Sequence, residues 1–98
     1  MATLYITVWE DAAEVALGQP TQEMTVPIGA SSAQSAVIVG VKNRHLRMRL
    51  MADGDCFVTW GDDPTALTDG TSGRPMGAEN PEYFSINAGQ KVAVIQRL

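Results

Sequence analysis

The sequence of 98 residues predicts an all-β fold: one small β-sandwich or barrel, jelly-roll-like, of about seven short strands with a long loop at 61–81. Two patterns predict it. Apolar residues alternate with period two in several short segments rich in β-branched and aromatic side chains. Turn chemistry built on Gly, Pro and Asp-Gly separates these segments at the roughly 8–12-residue spacing of a sandwich or barrel. A chain this short makes a single domain, 1–98, that buries only about 60–65% of its unfolded surface.

Residues 3–9 open the fold, with Leu4, Ile6 and Val8 on one face and Thr3, Tyr5, Thr7 and Trp9 on the other. Residues 10–18 have room for one or two helical turns closed by Gly18, and Pro20 ends them. Met24, Val26 and Ile28 alternate again, and Pro27 among them marks an edge strand, because proline donates nothing to a ladder. Gly29 to Ser35 is small and polar and reads as a turn, followed by an apolar run from Ala36 to Val41 broken at Gly40.

Residues 44–60 read as a hairpin. Leu46, Met48 and Leu50 point one way and His45, Arg47 and Arg49 the other; Asp53-Gly54 supplies the turn, and Cys56, Val58 and Trp60 alternate on the return. From Gly61 to Pro81 the alternation disappears among glycines and prolines, which predicts a loop with little to anchor it in a core. Strands resume at Glu82–Asn87 and, after an Ala88-Gly89 turn, at Gln90–Leu98.

Composition narrows the function classes. Seven Lys+Arg against 11 Asp+Glu give a net charge of −4, which disfavours a protein that binds nucleic acid by neutralising phosphates. No apolar run approaches the ~20 residues of a spanning helix. Cys56 is the only cysteine, so no internal disulfide forms, and the alternating N-terminus is unlike a signal peptide; synthesis in a reducing cytoplasm is expected.

Catalytic chemistry is thinly represented. A Cys56–His45 pair is conceivable across the expected hairpin, but Cys56 shares its face with Val58 and Trp60 and reads as a small buried hydrophobe. Asp53/Asp55 and Asp62/Asp63 carry the charge for a hard cation, yet each pair sits where turn chemistry asks for Asp, and neither has the spacing of an EF-hand. The glycines of 61–81 form no phosphate-binding motif. No catalytic, cofactor-binding or metal-ligating residue is assigned. His45, Arg47 and Arg49 form a basic stripe that reads as a solvated face or as a contact for an acidic protein surface, with DNA a distant third for want of an interleaved aromatic platform, and Tyr5 and Trp9 either cover a second core layer or mark a contact patch.

Several segments, read in order, carry a resemblance. They are the opening Met-Ala-Thr-Leu-Tyr-Ile-Thr, the run Met24-Thr25-Val26-Pro27-Ile28-Gly29-Ala30-Ser31-Ser32, the stretch Cys56-Phe57-Val58-Thr59-Trp60-Gly61-Asp62-Asp63-Pro64-Thr65-Ala66, then Glu82-Tyr83-Phe84-Ser85-Ile86, and the ending Gly89-Gln90-Lys91-Val92-Ala93-Val94-Ile95. Together, over most of the chain, they resemble small virion structural proteins of tailed bacteriophages, and among these a capsid decoration (cement) protein. The basic strand at 42–51 departs from that pattern.

The resemblance implies a non-enzymatic protein, made in the host cytoplasm, that binds the outside of the major capsid protein lattice and stabilises the head. It implies no cofactor, nucleic acid or membrane, and leaves self-association as a dimer or trimer open. Three contact regions are expected: the first strand with Tyr5 and Trp9, the stripe of Arg47 and Arg49, and the 61–81 loop with Asp62, Asp63 and Arg74. The alternatives are a minor head–tail, tail or fibre-base component of the virion, and a small module that binds a host protein.

Overall fold

Alternation along the chain becomes two facing antiparallel sheets in a computed structural model, which describes residues 2–10, 22–40, 45–68 and 73–97. The strands are β1 (Ala2–Glu10), β2 (Gln22–Ile28), β3 (Ala33–Gln34), β4 (His45–Ala52), β5 (Cys56–Gly61), β6 (Arg74–Met76), β7 (Glu82–Asn87) and β8 (Lys91–Gln96). One sheet has the order β2-β1-β4-β7 and the other β3-β8-β5-β6. We call them the first and the second sheet.

The pairs β5·β6, β4·β7, β3·β8 and β2·β1 are the rungs of one long antiparallel ribbon, folded back between β5 and β6 and wound alternately across the two sheets. That is jelly-roll pairing, with the strand that completes the ribbon supplied by the start of the chain instead of its end. The expected all-β sandwich is therefore present. The short helix considered at 10–18 falls largely on 11–21, outside the described residues.

The core lies between the sheets. Leu4, Ile6 and Val8 of β1 and Leu46, Met48 and Leu50 of β4 meet Cys56 and Val58 of β5 and Val92 and Val94 of β8, all of them buried. Each such aliphatic side chain contributes about 1.5–3 kcal/mol of transfer free energy on burial.

The reading of 44–60 as a hairpin is corrected. β4 pairs with β1 and β7, and β5 pairs with β8 and β6, so Asp53-Gly54 carries the chain from one sheet to the other. A hairpin would set the two apolar rows side by side; here they face each other across the core. Both arrangements demand the same in–out alternation and the same turn residues. The turn at Ala88-Gly89 likewise links β7 in the first sheet to β8 in the second. Gly89 occupies φ +95°, a conformation that a Cβ would strain.

β2 is an edge strand, as Pro27 predicts. Asp53 N donates to Thr3 O at 3.1 Å, so the odd residues of β1 address β4 and the even ones address β2. The register Leu4↔Val26 and Thr3↔Pro27 then leaves the missing N–H of Pro27 on the free side of the sheet, where no bond is lost.

The third strand also differs from expectation. Ala33–Gln34, read as part of a turn, pairs with β8, whereas the apolar run after it joins no ladder. Ile38 is buried and bonds through its backbone to Gln90 and Gly89, while Val37 and Val39 stay exposed.

The 61–81 loop is corrected as well. Gly61 ends β5 and β6 lies within the span, with Met76 buried in the main core. The described part after β5 folds over the outer face of the second sheet, where Ala66 packs with Ala93, Ile95 and Phe57 in a second, smaller cluster. Two bonds pin it there: Gln34 Nε2 donates to Pro64 O at 2.7 Å, and Ala66 N donates to Ser32 Oγ at 3.0 Å. This explains why β8 is apolar on both faces, Val92 and Val94 toward the sandwich and Ala93 and Ile95 under the loop.

Candidate functional site

With the second sheet covered, the outer face of the first is the sheet face left open among the described residues. Period two sends Tyr5, Thr7 and Trp9 of β1 outward, and the register sets them beside the outward residues of β4: Tyr5↔Met51, Thr7↔Arg49 and Trp9↔Arg47. β7 adds Arg49↔Tyr83 and Arg47↔Ser85, and β2 adds Thr25 beside Tyr5 and Glu23 beside Thr7. Two regions expected to act separately, Tyr5 with Trp9 and Arg47 with Arg49, thus form one surface.

That surface is aromatic and basic. Tyr5 is 42% exposed and Tyr83 60%. The Arg49 guanidinium lies 5.9 Å from the centre of the Trp9 ring, within cation–π range, and Arg49 Nη2 donates to Thr7 Oγ1 at 3.4 Å. The Trp9 indole N–H is buried and has no acceptor among the described residues.

Two hollows flank the arginines. One, of about 450 Å³, is lined by Tyr5, Thr7, Glu23, Thr25, Arg49 and Met51. The other, of about 290 Å³, is lined by Arg47, Tyr83, Phe84 and Ser85. Tyr83 and Met51 were not among the expected contact residues. Tyr83 belongs to the patch only because β7 pairs with β4, a long-range fact that periodicity does not carry.

The remaining expected residues are placed elsewhere, in structural settings. Asp63 Oδ1 accepts from Gln34 Nε2 at 2.9 Å and so helps to hold the loop on its sheet. Asp62 is exposed beside it. Arg74 of β6 donates through Nε and Nη2 to Glu82 Oε1 of β7, both at 3.2 Å, and its guanidinium lies 5.2 Å from the centre of the Phe84 ring. With Trp60 and Phe84 in tilted contact at 4.7 Å, this clasp ties the two sheets together along one edge. The described part of 61–81 is therefore a cover over the second sheet and a clasp between the two sheets, set apart from the first sheet's face.

The carboxylates considered for a cation are also engaged. Asp53 Oδ1 accepts from Thr3 N, and Asp55 Oδ1 from Ala78 N, with Arg97 3.5 Å from Asp55 Oδ2. Among the described residues no cluster of three or more His, Cys, Asp or Glu side chains has metal-binding geometry.

His45 and Cys56 do not meet. His45 is exposed at the start of β4 on the open face, and Cys56 opens β5 with its side chain in the core. Burial pushes the Cys56 thiol up from 9.0 to about 11, against the smaller opposing pull of the Arg97 charge. Because the folded state holds this proton more tightly, the stability it contributes is fully present below pH 9 and is lost as pH rises through about 11. Denaturant melts across that window are expected to show a fall that Cys56→Ala removes.

No family model, curated protein or solved structure matches the chain.

Proposed function

We propose that this protein is a capsid decoration protein of a tailed bacteriophage, and that it docks on the major capsid protein through the outer face of its first sheet. The observation that carries the reading is the asymmetry of the two outer faces. The second sheet's is roofed by the chain's own loop, while the first's is open and gathers Tyr5, Trp9, Arg47, Arg49 and Tyr83. Aromatic residues and arginine are the types enriched at binding interfaces. On a chain of net charge −4, a local basic stripe also selects for an acidic surface on the partner.

The sequence resemblance supplies the kind of partner. A ligand that binds only the assembled lattice stabilises it by mass action, and many identical copies add their contacts over the shell. A small module with one open sheet face suits this role, and it acts without catalysis.

The stoichiometry of the protein in purified particles, measured against the major capsid protein, tests the proposal. Copies in a simple ratio to the capsid protein are expected. A handful per particle would move the protein to the head–tail vertex, tail or fibre base, and its absence from particles would favour a module that binds a host protein.

A further inference from the structure

Among the described residues each sheet ends in two edge strands, and three of these four edges are guarded. β2 carries Pro27 on its free side and the charged Glu23 along it. β3 has two residues, and β6 has three with Pro75 in the middle. β7 is six residues long, without proline or lysine, and its one charge, Glu82, is held by Arg74. Natural edge strands are usually blunted against pairing by proline, charge or short length; β7 is not.

The backbone parity shows which groups of β7 are free. Ala52 O accepts from Glu79 N on the β7 side, while Asp53 N donates to Thr3 O on the β1 side. Even residues of β4 therefore address β7, and the register Leu46↔Ile86, Met48↔Phe84 and Leu50↔Glu82 consumes the even residues of β7. The odd residues point away from the sheet. Asn87 is already used, its N–H by Gln90 Oε1 and its carbonyl by Gln90 N. Pro81, just before the strand, has no N–H to offer. What remains, among the described residues, is a short free stretch: the N–H and C=O of Tyr83 and of Ser85.

We propose that this edge pairs with β7 of a second copy of the chain, antiparallel about a two-fold axis at Phe84, joining two first sheets into one continuous sheet. In that register Tyr83 of one copy exchanges both backbone bonds with Ser85 of the other, and Ser85 with Tyr83, so every free group of the stretch meets a free group. A register centred on Ser85 instead sets Tyr83 against the occupied Asn87. A longer strand from a different protein gains little beyond these two residues, because Pro81 and Asn87 bound the stretch. The side chains agree: Phe84, partly buried, meets Phe84 across the axis, and the 60%-exposed Tyr83 ring lies over the small Ser85. Each Arg74 brings its own Glu82, so the one charge of β7 is paired within its own copy, and Arg47 stands one strand back from the seam, beside Ser85.

The inference does not rest on the capsid reading. A seam of one strand pair lies below the roughly 1,200 Å² of a stable complex, so the association is weak and concentration-dependent. Sedimentation velocity up to millimolar protein is expected to show a monomer–dimer equilibrium. Ser85→Pro, which removes an outward N–H where an edge strand tolerates its loss, is expected to be folded and monomeric.

The double variant Tyr83→Cys/Ser85→Cys is expected to oxidise to a covalent dimer, because directly opposed residues of such a pair stand about 5.5 Å apart at Cα, within disulfide range. Each single variant is expected to stay monomeric, and the buried Cys56 does not compete. A wild-type protein that sediments as a monomer throughout overturns the proposal. So does a dimer that survives Ser85→Pro, or single-cysteine variants that cross-link as readily as the double. If Ser85→Pro does not fold, the paired cysteines decide alone.

Discussion

Replacing Arg47 and Arg49 together by serine is expected to weaken binding to capsids by at least about tenfold at physiological salt and to flatten its dependence on ionic strength. Truncating one partner of a desolvated charge pair costs about 2–5 kcal/mol, whereas a rim pair costs far less and acts mainly on the association rate. The stripe lies at the centre of the open face, between the two hollows, so the larger figure applies if the partner covers it. Folding is expected to change little. Arg47 is exposed, and Arg49 loses one cation–π contact of about 0.5–1 kcal/mol with Trp9 and a long, 3.4 Å hydrogen bond to Thr7 Oγ1. Binding isotherms at two salt concentrations, set beside melts of both proteins, make the check. Unchanged affinity and salt slope would reduce the stripe to a solvated face.

Leu50→Ala is expected to destabilise the fold by about 2–5 kcal/mol, a large share of the 5–15 kcal/mol that holds a typical domain. Leu50 is fully buried on a central strand, with Ile6 directly across in β1 and Glu82 across in β7. Its removal leaves a void between the two sheets, beside a strand that β1 and β7 hold on both sides and that cannot collapse inward. Leu50→Met, which nearly conserves volume, is expected to cost under about 1.5 kcal/mol. Urea denaturation of the three proteins provides the comparison, and equal losses for Ala and Met would show that shape rather than volume governs the site.

Most of the elements were legible in the sequence, because in–out alternation is written into residue order whichever strand lies alongside. β1, β4, β5, β7 and β8 appear where period two predicts them, and Pro27 marks its edge correctly. β3 and β6 were not legible. Each is only two or three residues long and is held by a neighbour distant in sequence, β8 for the one and β5 for the other. The loop's buried anchor was equally hidden, since Ala66 looks like any small residue until Ala93 and Ile95 are set beneath it.

The candidate site divides along the same line. Tyr5 with Trp9 and Arg47 with Arg49 were each visible as outward faces of single strands. That they share one surface follows from β1 pairing with β4, and Tyr83 joins them through β7. Asp63 and Arg74 were visible only as charged residues of a loop; that Gln34 bonds the one and Glu82 the other follows from the tertiary structure.

By itself, then, the sequence determined the strand type of the fold, the inner and outer face of each long strand, and the placing of turns at Asp53-Gly54 and Ala88-Gly89. Only the tertiary structure shows that those turns cross between sheets, that the stretch around Pro64 and Ala66 roofs one sheet, and that among the described residues β7 is left as an unguarded edge. The physical reason is that alternation and turn propensity are local properties of the chain. Hairpin and crossing place identical demands on them, and only the packing of residues far apart in sequence distinguishes the two.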